Sequence, residues 1–197
     1  MEIWNRLLFL RMNAGPNPDP RGFGIALFLA NDLIYGIPVL LAGMWLWGTQ
    51  QKRGLALRAC AVTFTGLGLN QLIALAWTHP RPDAMGIGKT WIAHAMDSSF
   101  PSDHGTVFAC VSVCLLAAGE SGLAALAMVS GIGVAWARIY LGVHFPLDML
   151  GAAVVSIVAY AALVLPWNRY GAVVTGVAQT LYRKAFAKAI AHGIVRM

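Results

Sequence analysis

Two arginines, two histidines and one aspartate stand at the ends of apolar runs in an order suited to phosphoryl transfer. Arg81-Pro82 comes first, then Pro101-Ser102-Asp103-His104, then Arg138 with His144 six residues later and Asp148 four after that. Guanidiniums offer planar donor forks to phosphate oxygens. Imidazoles can attack or protonate near neutral pH, and a carboxylate can orient an imidazole by accepting a hydrogen bond from its second nitrogen. Fixed cations of this kind stabilise charge without a metal. No cluster in the sequence has the ligand count and spacing of a structural or two-metal site, so no metal or other cofactor is expected. Four of the five histidines (His79, His94, His104 and His144) fall in this stretch. His79, like the distant His192, reads as structural.

The elements that must position these groups are membrane helices. Hydrophobic residues make up 58% of the 197-residue chain and charged residues only 11%, against roughly 25% charged in soluble domains. Mean hydropathy is +0.66. Apolar runs occupy approximately 23–48, 55–77, 103–119, 121–138 and 145–166, with hydrophilic breaks between them. Each is near the ~20 residues needed to cross a ~30 Å hydrocarbon core. The expected fold is all-α: a polytopic helical bundle of about five transmembrane helices in one domain spanning 1–197. Residues 1–22, with Arg6, Arg11, Arg21 and a Pro- and Gly-rich stretch, predict an interfacial helix and a loop rather than a signal peptide. Residues 167–197 predict a basic amphipathic tail along the anionic inner leaflet. Only Gly-Glu-Ser-Gly separates the third and fourth runs, which predicts a tight antiparallel hairpin. Cys60, Cys110 and Cys114 lie inside apolar runs and read as packing residues. Asp32 lies about ten residues into the first run and is expected to face the bundle interior, paired either with a cation of the site or with Asn31, Tyr35 or Asn70.

Lys52, Arg53, Arg58, Arg169, Arg183, Lys184, Lys188 and Arg196 are eight of the fourteen basic residues and gather on one side of a five-span topology. That side is expected to be cytoplasmic. The amino terminus, the 78–102 loop and the 138–144 loop then share the extracytoplasmic face, which brings Arg81, Ser102, His104, Arg138 and His144 to one membrane surface.

These blocks resemble the type 2 phosphatidic acid phosphatase superfamily, whose pattern is Lys-x6-Arg-Pro, Pro-Ser-x-His and Ser-Arg-x5-His-x3-Asp. The segments His94 to His104 and Tyr140 to Asp148 resemble its short bacterial branch of undecaprenyl-diphosphate phosphatases, which recycle the lipid carrier of cell-wall synthesis and whose length is similar. Two positions depart from the pattern: Ala74 stands where the family has Lys, and Ala137 where it has Ser. Lys89 or His94 could supply the missing positive charge.

The resemblance implies that His144 is the nucleophile of a phosphohistidine intermediate and that Asp148 fixes its tautomer. Pro146 is well placed to open the helix that carries Asp148. Arg81 and Arg138 would hold phosphate oxygens, with Ser102 and the N–H groups after it forming an anion seat at a helix start. His104 would protonate the leaving oxygen and then activate water. Asp97 and Asp103 read as residues that order their loop.

The expected activity is metal-independent hydrolysis of undecaprenyl diphosphate to undecaprenyl phosphate and phosphate, at the outer face of a bacterial cytoplasmic membrane. The expected partners are that lipid diphosphate and membrane lipids, with no nucleic acid. Within the same site class stand a phosphotransferase to another lipid and a phosphatase for phosphatidic acid or phosphatidylglycerol phosphate. A carrier that only binds a phosphorylated lipid is the reading from another class, and it would not need two imidazoles.

Overall fold

The computed structural model describes residues 2–94 and 97–196, so Ala95 and Met96 of the His94 to His104 block lie outside the described residues. All regular structure among the described residues is helical. Helix α1 (Glu2–Met12) precedes a loop, and α2 (Pro20–Asn31) starts with Asp19 accepting a hydrogen bond from the Gly22 N–H and Pro20 in its first turn. A short 3-10 turn (Leu33–Tyr35) leads into α3 (Gly36–Trp47), and α4 (Gln50–Ala76) follows. The remaining helices are α5 (Asp103–Ala117), α6 (Ser121–Tyr140), α7 (Pro146–Ala185) and the short α8 (Ala187–Ala191).

The five apolar runs map onto passes between two ends of one bundle. Pro20–Trp47, Gln50–Ala76, Ser121–Tyr140 and Pro146–Ala185 are each long and apolar enough to cross a membrane. The third run, α5, has only 15 helical residues and is enclosed by α4, α6 and α7. The chain is a multi-pass membrane protein. Its central core joins α3, α4, α5, α6 and α7 through Leu41, Val62, Phe108, Leu115, Val134 and Ala159. The predicted hairpin of α5 and α6 is present, turning at Gly119 and packing Gly131 so closely on Phe108 that an added Cβ would lie 2.8 Å from the Phe108 Cβ. The three cysteines are free thiols.

Two expectations need correction. The fifth run does not end at 166: α7 continues through Pro166 to Ala185, 40 residues in all. At 1.5 Å per residue it reaches about 60 Å, twice the hydrocarbon core. Proline removes one helical hydrogen bond, but packing beyond it holds the helix together, with Gly54 against Thr175 and Gln179 Nε2 donating to Gln50 Oε1 at 2.7 Å. Residues 167–185, the first part of the basic tail, thus continue α7. Asp32 does not face the interior either. It is exposed, because α2 ends there and packs on α6 through Ala26 and Ala30 instead.

The bundle has two differently built ends. At one, an ion pair between Lys52 and Glu120 (3.4 Å) joins the start of α4 to the α5–α6 turn. Here the C-terminal segment docks through Arg196 N–H to the Leu46 carbonyl (3.0 Å). At the other end, α1 lies across the start of α7. Its buried Asn5 accepts from the Leu147 N–H at 3.0 Å, and Phe9 meets Phe145 edge to face.

Candidate active site

Three segments converge at the α1 end of the bundle. The first is His79 to Pro82, where Arg81 sits between two prolines. Proline fixes its own φ and favours extended backbone in the residue before it. This segment pairs with the one before α5: Ser99 N–H donates to the His79 carbonyl (2.8 Å), and His79 N–H donates to Ser98 Oγ (3.1 Å). The pairing brings Arg81 beside Ser98, whose carbonyl accepts from Arg81 Nη2 at 3.3 Å. The third segment is the 141–145 turn. Gly142 has φ +86°, and a Cβ there would lie 2.2 Å from the Lys89 carbonyl oxygen, so only glycine allows both the conformation and the approach.

That turn delivers His144 into the site, 2% exposed. Its Nδ1 lies 3.0 Å from the Ser99 carbonyl and 3.2 Å from Asp148 Oδ2. A carbonyl and a carboxylate only accept, so Nδ1 carries the hydrogen and Nε2 presents its lone pair. Arg81 Nη1 is 3.4 Å from that Nε2 and donates to the Val143 carbonyl at 2.9 Å. Asp148, fully buried one helical turn along, also accepts at Oδ2 from the Ser99 hydroxyl and from the Phe145 N–H (2.8 Å). Three donors thus converge on one carboxylate oxygen. Burial, reinforced by the Arg138 and Arg81 guanidiniums, holds the His144 imidazole well below its usual pKa, so the ring is neutral.

A pocket of about 230 Å³ opens in front of this pair, lined by Arg81, His94, Asp97, His104, Arg138 and His144, with Asn70, Gln71 and Ala74 from α4 as its far wall. Arg138 reaches it from the last turn of α6. Nη1 donates to the Ala30 carbonyl (3.2 Å), while the buried Nε has no partner among the described residues. Arg81 holds Asp97 through Nε (2.9 Å) and Nη2 (2.7 Å). Although burial of Asp97 opposes the shift, the Arg81 hydrogen bond and charge, with His94, keep its carboxyl below the ordinary carboxylate range. The arrangement offers a neutral nucleophilic nitrogen, a second imidazole at His104 and two guanidiniums around one small polar cavity.

Of the predicted site residues, the structure brings Arg81, His94, His104, Arg138 and His144 into this cavity, with Asp148 directly behind. His94 sits with its ring 6.1 Å from that of His144 and its Nδ1 3.6 Å from Asp97. Ser102 is fully buried, and its Oγ accepts from the Gly105 N–H (3.3 Å) as the N-cap of α5. It stands behind the cavity wall rather than in it. Lys89 is a correction: it is exposed, outside the cavity, with its ammonium 5.6 Å from the Trp91 ring. A cation–π contact costs a surface lysine less desolvation than a phosphate pocket would. At the altered positions, Ala74 leaves the α4 wall uncharged, and Ala137 packs its methyl against Ala26 and Ala30 of α2. Sequence reasoning missed Ser99. The only available signal was its place beside Ser98 in the block before Pro101.

The PAP2 superfamily model matches residues 55–171, more than half of the chain. A protein named "Putative undecaprenyl-diphosphatase YbjG" from Escherichia coli (strain K12) is 35% identical over 196 residues, covering 100% of this chain and 99% of its own length. "Undecaprenyl-diphosphatase BcrC" from Bacillus subtilis (strain 168) is 34% identical over 134 residues, 68% of this chain and 69% of that protein. Among solved structures, Aquifex aeolicus LpxE superposes with a TM-score of 0.60 at 19% identity, covering 79% of this chain and 91% of that one. A transmembrane PAP2-type phosphatidylglycerolphosphate phosphatase from Bacillus subtilis superposes with a TM-score of 0.58 at 21% identity, covering 82% and 83%. Both likenesses establish the shared helical fold.

Proposed function

The chain belongs to the PAP2 superfamily, and from that premise we propose that it hydrolyses undecaprenyl diphosphate to undecaprenyl phosphate and phosphate. The supporting observation is the His144 tautomer: with Nδ1–H committed to the Ser99 carbonyl and Asp148, the Nε2 lone pair is presented to the cavity, where Arg81 Nη1 lies 3.4 Å away. Similarity to two proteins named undecaprenyl-diphosphatases supports the substrate.

His144 Nε2 attacks the terminal phosphorus, forming a P–N bond as the P–O bond to the lipid phosphate breaks. Positive charge grows on the imidazole and is offset by Asp148. Arg81 and Arg138, which both line the cavity, hold the equatorial oxygens. His104 gives its proton to the leaving oxygen. It then takes one from the water that cleaves the P–N bond, which returns both imidazoles to their starting state. His94 adds a polar wall on the side where the family's lysine is absent.

The active site faces outward from the cytoplasmic membrane in this reading, because the basic residues concentrate toward the opposite end. The test is phosphate release by the purified protein from a panel of lipid monophosphates and diphosphates. Polyprenyl diphosphate should be the preferred substrate, with rates unchanged by EDTA. Loss of activity in EDTA with recovery on adding a divalent ion would overturn the mechanism.

A further inference from the structure

Arg81 already has its acceptors. Nε and Nη2 both donate to Asp97 Oδ1, at 2.9 and 2.7 Å, and Nη2 donates also to the Ser98 carbonyl at 3.3 Å. Nη1 donates to the Val143 carbonyl at 2.9 Å and lies 3.4 Å from His144 Nε2. Each nitrogen of the guanidinium therefore has a neighbour among the described residues, and a guanidinium only donates. A phosphate oxygen can reach Arg81 fully only by taking the place of one of these acceptors.

The acceptors differ in how firmly they are held. The Ser98 and Val143 carbonyls belong to the backbone, one in the segment paired with His79 and the other in the turn that Gly142 fixes. Asp97 offers a side chain that is 58% exposed, whereas that of Arg81 is 6% exposed. Both residues line the phosphate cavity. Asp97 Oδ1 thus sits on the Nε–Nη2 edge of Arg81, with His94 Nδ1 3.6 Å away, at the lengths of a charge-assisted bond such as a phosphate oxygen would make there. Turning this carboxylate out into water costs little, because an exposed ion pair contributes little.

We propose that Asp97 is a specificity-determining residue: a resident anion on Arg81 that the terminal phosphate of the substrate displaces before His144 attacks. The inference rests on the reading of this cavity as the phosphate site. No covalent bond changes in the exchange, and one oxyanion replaces another on the Nε–Nη2 edge. A terminal phosphate carries a charge of about −1.5 to −2 near neutral pH and gains from replacing a carboxylate. A singly charged phosphodiester, the headgroup linkage of the surrounding membrane, exchanges one charge for another without that gain. Asp97 thereby keeps bulk phospholipid from occupying Arg81.

The test measures the inhibition constant of inorganic phosphate and KM for a polyprenyl diphosphate in the purified wild type, Asp97→Asn, Asp97→Ala and Arg81→Met proteins. Removing the competitor should tighten phosphate and lower KM by about threefold to thirtyfold, between the worth of an exposed ion pair and that of a hydrogen bond to a charged group. Phosphatidylglycerol, a phosphodiester, should inhibit Asp97→Ala and not wild type; equal responses of the two proteins overturn the selectivity. A residue that merely holds Arg81 in place gives the opposite sign, so weaker phosphate binding with a raised KM in the Asp97 variants overturns the proposal, as do unchanged constants. A structure of the wild type with phosphate bound separates displacement from simple repulsion. A phosphate oxygen should stand within hydrogen-bond distance of Arg81 Nε and Nη2 with Asp97 turned away, and Asp97 still on both nitrogens beside the anion defeats displacement. Should the Asp97 variants fail to fold, that structure decides alone. Phosphate binding unaffected by Arg81→Met would instead defeat the reading of the cavity itself, so the two failures are distinguishable.

Discussion

Arg53 and Arg138 are both buried arginines, 1% and 3% exposed, at opposite ends of the bundle. Burial therefore does not separate them, but their partners do. Arg53 donates to the Trp45 carbonyl (2.9 Å) and the Arg196 carbonyl (2.7 Å) and lies 5.0 Å from the Tyr182 ring centroid and 5.9 Å from that of Trp45. It is a closed knot that ties the chain end to α3, α4 and α7. Arg138 makes one bond to the Ala30 carbonyl and keeps Nε unpartnered at a polar cavity. A guanidinium taken out of water without its full set of acceptors is costly, and in the proposed mechanism the substrate phosphate offsets that cost. Of these two arginines, the one with an unpartnered nitrogen lines the polar cavity and the one with its partners in place ties the scaffold.

The sharpest challenge to that contrast is the paired substitution of both arginines by Met. Arg138→Met should lower kcat on the order of 10²- to 10³-fold, the usual loss for one preorganised donor, with little change in melting temperature. Arg53→Met should do the reverse. It strands two carbonyls, each costing about 1 to 3 kcal/mol when left unpaired, while activity per folded molecule stays within about twofold. Thermal melts and rates in the same detergent decide it, and a similar activity loss in both variants would erase the distinction.

A smaller effect concerns pH. Because the His144 pKa is depressed by burial and the two arginines, the ring stays neutral as pH falls through the usual ~6.5 of histidine. The acid limb of kcat/KM that reports its protonation should lie well below that value. Arg81→Met removes one of the depressing charges and should move the limb upward. A wild-type limb at about 6.5 would contradict the electrostatic description. The smallest effect is expected at Lys89. Its ammonium rests over Trp91 outside the cavity, so Lys89→Ala should leave KM for a diphosphate within about twofold.

Apolar runs and charged breaks made the passes of the bundle legible, because a span must hide its backbone and side chains from water in one continuous stretch. The end of α7 was not legible. Proline at 166 looks like a stop, and only the contacts of Thr175 with Gly54 and of Gln179 with Gln50 carry the helix past it. Asp32 misled for the opposite reason: local hydropathy placed it inside a helix, whereas the chain breaks there and turns the carboxylate outward.

Within the site, His104, Arg138, His144 and Asp148 stood out because fixed spacings carry them. Ser99 and Asn5 did not, since each meets the dyad or its helix only through folding of distant segments. Lys89 shows the limit from the other side. A positive charge in the right loop carries no information about where its side chain points.

The central claim is that His144 Nε2 is the attacking atom, and the most direct measurement is of phosphate bound to the enzyme itself. With a polyprenyl diphosphate labelled in its terminal phosphate and a rapid denaturing quench, the wild-type protein should carry acid-labile, base-stable label at His144. His144→Ala should carry none and turn over nothing, while still binding substrate through Arg81 and Arg138. Label on another residue, or full turnover by His144→Ala, would contradict the account.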